Sequence, residues 1–434
     1  NAAELAQSLR NVAEARPTPN SVIGRCQPSA EPRIAFVYSG MGPQWWAMGR
    51  ELFDDPVFAA AAQEVDHCFQ ELAGWSILEA MLADEADSRM AGVRVAQPSN
   101  FLLQVALTAC WKARGVVPDV VLGHSTGEVA AAYASGALSL ADAVCLIYHR
   151  SEMQATLGGS GAMLATALSP TQAAEFIESE QAVEIAAING PNSITLTGDP
   201  KALERIAVRL QESSIFCRKL VVDIAYHSAQ MDAIREPFHS AVARLKPLRA
   251  TVPFHSTVTA TALTGDKLTA DYWWQNIRST TCFAPTIQSL LDEGFEHFVE
   301  VGPHPVLGRS ILECAGERDL SVKVTPTLRR GESDVRCVAL AMAQLHVWGR
   351  NLDWAQITRS GNLVTTPRYP WQRVPGWIES AASRADRGTP GSTSFLCDPQ
   401  STPEPSWRVE INPLYFPHLA EHRVNGALVF PGMA

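Results

Sequence analysis

The sequence predicts an α/β chain built on a parallel sheet, and three observations predict it. Short apolar runs ending at or near glycine, "RIAFVYSG" (33–40) and "VVPDVVLGHS" (116–125), read as buried strands. Helix-like stretches at 46–72, 96–114 and 127–156 lie between and after them, and strands alternating with helices call for a sheet covered on both faces. From about residue 157 short strands surround two helices in β-α-β-β-α-β order, which fits a ferredoxin-like insert.

In chain order, residues 1–15 carry apolar side chains at helical spacing and 16–32 are punctuated by proline, as in a linker helix with an extended exit. The insert comprises "GAMLATAL", a helix over 170–180, "VEIAAING", "SITLTG", a helix over 200–213 and "FCRKLVV". The α/β texture resumes at "DIAYHSAQMD", and "HFVEVGPHPVLG" (297–308) reads as a late strand running into a turn. Beyond 375, Gly, Pro, Ser and Thr predominate and predict a flexible linker. The last stretch, "WRVEINPLYFPHLAEHRVNGALVFPGMA", turns strand-like, as the first piece of a second domain. No internal repeat is visible.

With 434 residues, 46% hydrophobic and 18% charged, the chain can bury a large core. A formal net charge of −10 disfavours nonspecific binding to nucleic acid or an anionic membrane, and no apolar run has the length of a membrane helix. The start lacks an initiator Met and an apolar signal core, so a piece of a longer cytoplasmic protein is expected. Nine cysteines, with no C-x-x-C pair and no His/Cys cluster at ligand spacing, point to a reducing compartment without structural zinc.

Gly123-His124-Ser125-Thr126-Gly127 fits G-x-S-x-G, the sharp strand-to-helix turn of an α/β-hydrolase-like sheet. A nucleophile there needs small neighbours and gains from the N-terminus of the next helix. The alternative is a Ser or Thr cap on an ordinary helix. The apolar run before it and the alanine-rich stretch after it favour the nucleophile. A serine needs a general base, and a triad in the usual order would place an acid between Ser and His. Asp223, four residues before His227, is the nearby acid without being assured of facing it.

"FVYSGMGPQWWAMGREL", "GHSTGE", "YHRSEMQ", "AYHSAQMD" and "VEVGPHPVL" occur in the order found in the malonyl-CoA:acyl-carrier-protein acyltransferase family. Over residues 33 to roughly 375 the chain resembles the acyltransferase domain of polyketide and fatty-acid synthases. That resemblance implies Ser125 as nucleophile and His227 as base, its imidazole held by a backbone carbonyl from the Glu293 region. It implies Arg150 as the ligand of a malonyl carboxylate, a planar pairing that Lys does not reproduce. It also implies backbone N–H groups of Met41 and Thr126 as the oxyanion hole, with Met41 where the family often has Gln. Gln44, His124 and Asn189 match pocket positions. The "IAYH" tetrapeptide ending at His227 agrees with neither the malonyl nor the methylmalonyl form of the family; the aromatic Tyr226 leans towards malonyl.

"HRVNGALVFP" resembles the start of a hot-dog dehydratase domain through His422, Gly426 and Pro431, without the acid needed to dehydrate. The implied domains are a ketosynthase-acyltransferase linker end (1–32), a large subdomain (33–156 and 222–325) and a small subdomain (157–221). A post-acyltransferase linker (326–375), a flexible linker (376–406) and the dehydratase fragment (407–434) follow. The implied reaction needs no bound metal or cofactor, and its partners are acyl-CoA, a carrier protein's phosphopantetheine and the neighbouring ketosynthase and dehydratase domains. A thioesterase sharing the elbow, and a non-catalytic scaffold, are the alternatives.

Overall fold

The computed structural model describes residues 31–358 without a break, and of the flanks 2–14, 16, 18, 21–24, 365, 368–372, 397–400, 403–404, 406–409 and 420–429. Part of 16–32 and all of 376–396, both expected as linkers, lie outside the described residues. The chain divides into two units, Asn1–Ser360 and Gly361–Ala434.

In the first unit, helix α1 (Ala2–Ala13) precedes strand β1 (Ile34–Tyr38), and α2 (Pro56–Ala73), α3 (Ile77–Leu82) and α4 (Val93–Ala113) lead to β2 (Val120–Gly123). Helices α5 (Gly127–Ala134) and α6 (Leu140–Ala155) follow. The insert is β3 (Ala162–Thr166), α7 (Pro170–Ile177), β4 (Val183–Gly190), β5 (Ser193–Gly198), α8 (Pro200–Glu212) and β6 (Cys217–Lys219). Then come α9 (Arg235–Val242), β7 (Phe254–Ser256), β8 (Thr261–Leu263), α10 (Ala270–Arg278), α11 (Phe283–Asp292) and β9 (His297–Val301). The unit ends with α12 (Gly308–Gly316), β10 (Lys323–Pro326), α13 (Asp334–Val347) and α14 (Trp354–Ile357).

Six strands form the large sheet in the order β10-β9-β1-β2-β7-β8, parallel except where β8 returns against β7. Strand β1 shows why the apolar runs are continuous. Ile34, Phe36 and Tyr38 enter one core, while Ala35 and Val37 enter the other with Phe283 and Ile287. Alternate side chains point to opposite faces, and both faces are covered.

Some boundaries differ from the sequence reading for local reasons. The expected helix over 46–72 starts only at Pro56, because the Asp55 side chain accepts from Val57 and Phe58 N–H and Pro56 occupies the first turn. The expected helix over 127–156 is two helices, parted at Gly136 with φ 80° and restarted by the Ser139 cap. Strands β7, β8 and β10 were not singled out: three or four residues are too few to show a period.

The insert forms a four-stranded antiparallel sheet in the order β4-β5-β3-β6, the ferredoxin-like arrangement its element order predicts. Leu164, Leu196, Leu203 and Ile206 form its own core beneath α7 and α8. Both helices start on a capped proline turn, Ser169-Pro170 with a capping box to Gln172 and Asp199-Pro200. The second unit contains the hairpins β11 (Cys397–Gln400) with β12 (Ser406–Val409) and β13 (Arg423–Val424) with β14 (Ala427–Leu428).

Candidate active site

The site is built at the carboxyl ends of two neighbouring strands, β1 and β2. The elbow after β2 is sterically exact in its demand for glycine. A Cβ on Gly123 would lie 2.2 Å from Glu128 N, and one on Gly127 would lie 2.3 Å from Tyr38 O. Between them Ser125 takes φ 53°, a left-handed conformation that lifts its hydroxyl out of the turn at the start of α5.

Ser125 Oγ stands 2.8 Å from His227 Nε2, and His227 Nδ1 stands 2.8 Å from the Ser279 carbonyl. A carbonyl only accepts, so Nδ1 carries the proton and Nε2 is free to accept from the serine. The holding carbonyl is therefore Ser279, just past the end of α10, and not one near Glu293. The Glu293 carbonyl accepts from Arg33 Nη1 at 2.9 Å instead, and its carboxylate lies 3.4 Å from His255. Asp223 does not face His227 either; its carboxylate accepts from Gly159 N–H at 2.9 Å. His227 itself has φ 58° and is 6% exposed. Burial, with the positive charge of Arg150 second, lowers its pKa to about 3.

Arg150, on α6, is 2% exposed. Its Nη2 donates to Ser125 Oγ at 3.2 Å, and its Nη1 donates to Gln97 Oε1 at 2.7 Å and Gln154 Oε1 at 3.2 Å. Its Nε has no partner, and no carboxylate pairs with it among the described residues. Burial lowers its pKa to about 10, so it stays charged at neutral pH. A buried, unpaired cation is expensive unless an anion arrives from outside.

Ser125, His227 and Arg150 line one cavity of about 550 Å³ that also takes in Met41, Thr126 and Tyr226. The N–H groups of Met41, after β1, and Thr126, after Ser125, make no hydrogen bond among the described residues. Gln44 turns back on its own loop, accepting from Gly42 N–H at 2.6 Å. His124 Nε2 meets Asn189 Oδ1 at 2.7 Å, and Asn189 in turn donates to Thr195. Tyr226 is 8% exposed, and its hydroxyl makes no hydrogen bond among the described residues. His422 lies in the second unit at the β13–β14 hairpin, exposed, with Nδ1 2.8 Å from the Val429 carbonyl. Pro431 is outside the described residues.

Beneath the elbow, Glu128 is fully buried and accepts from Thr257 N–H and Oγ1, Tyr272 OH and Asn276 Nδ2. Asn276 Nδ2 also donates to the Ser125 carbonyl at 3.1 Å, which ties the carboxylate to the Ser125 backbone. Burial raises the Glu128 pKa to about 7 against those donors. Glu128→Ala is expected to destabilise the chain by about 2–4 kcal/mol, because four buried donor bonds lose their acceptor. Urea unfolding measures it, and a change near zero would contradict the network.

Sequence reasoning did not single out Gln97, Gln154, Asn276 or Ser279. Gln154 was accessible, since it follows Arg150 by four residues on one helix face. The other three belong to distant segments and carry no local signal. No group of three or more His, Cys, Asp or Glu suited to a metal occurs among the described residues, and no described helix is long and apolar enough to cross a membrane.

A model of the acyl transferase domain family matches residues 35–352. Among solved structures, the acyltransferase domain from module 8 of the salinomycin polyketide synthase superposes with a TM-score of 0.77 at 34% identity, covering 81% of this chain and 83% of that one. A loading acyltransferase from the avermectin modular polyketide synthase gives 0.69 at 37% identity, covering 72% and 99%. Polyketide synthase GfsB of Streptomyces halstedii is 34% identical over 99% of this chain and 8% of its own length. Erythronolide synthase EryA2 of Saccharopolyspora erythraea is 33% identical over 88% and 11%. The chain thus spans about a tenth of the length of these curated relatives.

Proposed function

The chain belongs to the acyl transferase domain family, and from that premise we propose that it moves a malonyl unit from CoA to the phosphopantetheine thiol of an acyl carrier protein. The observation that carries this reading is Arg150: a buried guanidinium with no carboxylate partner, one hydrogen bond from a serine already paired with histidine. Such a cation selects an acyl group that brings its own carboxylate.

In the proposed reaction His227 Nε2 takes the proton of Ser125 as Oγ attacks the thioester carbon. The unpaired N–H groups of Met41 and Thr126 receive the oxyanion. The carbon–sulfur bond breaks, and His227 returns the proton to the departing CoA sulfur. The carrier thiol then gives its proton to His227 and attacks the malonyl-serine ester, the acyl carbon–Oγ bond breaks, and His227 returns the proton to Ser125 Oγ. The chemistry calls for no metal or redox group. Tyr226, with its ring filling cavity space next to Arg150, favours malonyl over α-branched units, although one methyl is worth only about 1–3 kcal/mol. His422 enters this proposal only for domain order, with ketosynthase and dehydratase neighbours in a synthase.

The test is the intact mass after incubation with malonyl-, methylmalonyl- or acetyl-CoA. A stable adduct from a carboxylated donor, transferred on to carrier protein, is expected. Free acid released without an adduct would replace the transferase with the hydrolase reading.

The pH dependence follows from His227. A base must be neutral to accept a proton, and its lowered pKa of about 3 keeps it neutral throughout the usual assay range. The kcat/KM for malonyl-CoA is therefore expected to show no histidine limb between about pH 5 and 8. A fall through about 6.5, the ordinary histidine value, would overturn this.

A further inference from the structure

The cavity has a rim that the acyl chemistry at Ser125 leaves unused. Strand β6 is the outer strand of the small sheet, and side chains alternate along it. Cys217 Sγ lies 3.7 Å from the Ala207 carbonyl of α8, so Cys217 points to the helix-covered side and Arg218 leaves on the opposite face. Arg218 is level with Ala165 of β3, and Ala165 is level with Thr195 of β5. Thr195 accepts from Asn189, which meets His124 beside Ser125. Arg218 thus ends a row of side chains that crosses the sheet from its outer edge to the elbow, about 10 Å from Thr195 at two strand spacings.

Arg218 is exposed and lines the same cavity as Ser125 and Arg150. Among the described residues it has no hydrogen-bond acceptor, ion-pair partner or aromatic ring. Its neighbour Ala165 is only a methyl, which leaves the guanidinium room. The cavity lining therefore carries a pair of basic sites, buried Arg150 and, on β6, exposed Arg218 with its neighbour Lys219, in a chain whose net charge is −10. A substrate anionic at both ends matches that pair. Malonyl thioesters of phosphopantetheine are such molecules, with a carboxylate on the acyl group and a phosphate at the far end of the arm.

We propose that Arg218 binds the phosphate of the phosphopantetheine arm, as borne by CoA, by carrier protein, or by both. The inference rests on the transferase reading above. Guanidinium suits the role because it offers phosphate two parallel donors.

The test measures wild type, Arg218→Ala and Arg218→Lys with three substrates: malonyl-CoA, the malonyl thioester of N-acetylcysteamine, and carrier protein as acceptor. N-acetylcysteamine keeps the thioester and lacks the phosphate. Arg218→Ala is expected to lower kcat/KM about ten-fold with a phosphate-bearing substrate, mainly through KM, and to leave the N-acetylcysteamine donor unchanged. Arg218→Lys is expected to recover part of the loss. A defect with malonyl-CoA assigns the CoA phosphate, and a defect confined to transfer assigns the carrier's. An equal loss with N-acetylcysteamine, or no loss with either phosphate-bearing partner, overturns the proposal. A wild-type chain that takes no acyl group from either donor overturns the transferase reading itself, and this inference with it.

Discussion

Ser125→Ala is expected to abolish the covalent acyl adduct and to lower transfer to carrier protein by roughly 10⁴- to 10⁶-fold. In the proposed reaction the hydroxyl oxygen bonds the acyl carbon, and it stands 2.8 Å from His227 Nε2. Without it Nε2 keeps only Thr281 Oγ1 at 3.5 Å among the described residues, a contact too long for that hydroxyl to substitute. His227→Ala should cost about as much, and the double variant little more, because nucleophile and base act as one unit. The fold is expected to survive in Ser125→Ala, since alanine replaces serine at the same φ of 53° and the Asn276 bond to the residue-125 carbonyl is backbone-directed. Intact mass after exposure to malonyl-CoA reads the adduct, and an unfolding curve reads the fold. An adduct persisting on Ser125→Ala would remove Ser125 from the chemistry.

Arg150→Ala is expected to lower kcat/KM for malonyl-CoA by about 10²- to 10⁴-fold and to leave acetyl-CoA nearly unchanged, so that the preference for a carboxylated donor disappears. The asymmetry has a physical source. In the proposed role Arg150 supplies charge and paired donors to an incoming carboxylate and offers a methyl group nothing. Gln97 Nε2 donates to Gln154 Oε1 at 2.7 Å independently of the arginine, so its removal costs the amide pair only the donor to Gln97 Oε1. Arg150→Lys should restore charge without the planar pairing and therefore recover only part of the activity. The same change bears on His227. Arg150 is the second-largest influence lowering its pKa, so Arg150→Ala should raise the imidazole's pKa, while burial, the larger influence, still holds it below the ordinary value. Competition between malonyl- and acetyl-CoA, followed by mass, measures the selectivity. Retained selectivity would sink the assigned role.

Local chemistry made much of the architecture legible. The run Ile34–Tyr38 is apolar at every position because both sides of its strand are buried, and a buried parallel strand has no other way to read. Gly123 and Gly127 are required by contacts within a few residues of Ser125 or with the adjacent strand, so the five-residue pattern, with the apolar run before it and the alanine-rich stretch after it, announces the elbow. The insert's antiparallel sheet follows from its element order, with caps and prolines marking where α7 and α8 begin. Arg150 and His227 were named by resemblance, one side chain at a time.

Tertiary structure alone decided what surrounds them. The carbonyl that sets the His227 tautomer comes from Ser279, 52 residues away; the amide that accepts from Arg150 comes from Gln97, 53 away; and the amide that braces the Ser125 carbonyl comes from Asn276, 151 away. A hydrogen bond acts over about 3 Å of space and imposes no period or spacing on the chain. Partners brought together by helix and sheet packing therefore leave no mark that a pass along the sequence can detect, whereas strand burial, caps and tight turns act between near neighbours and do.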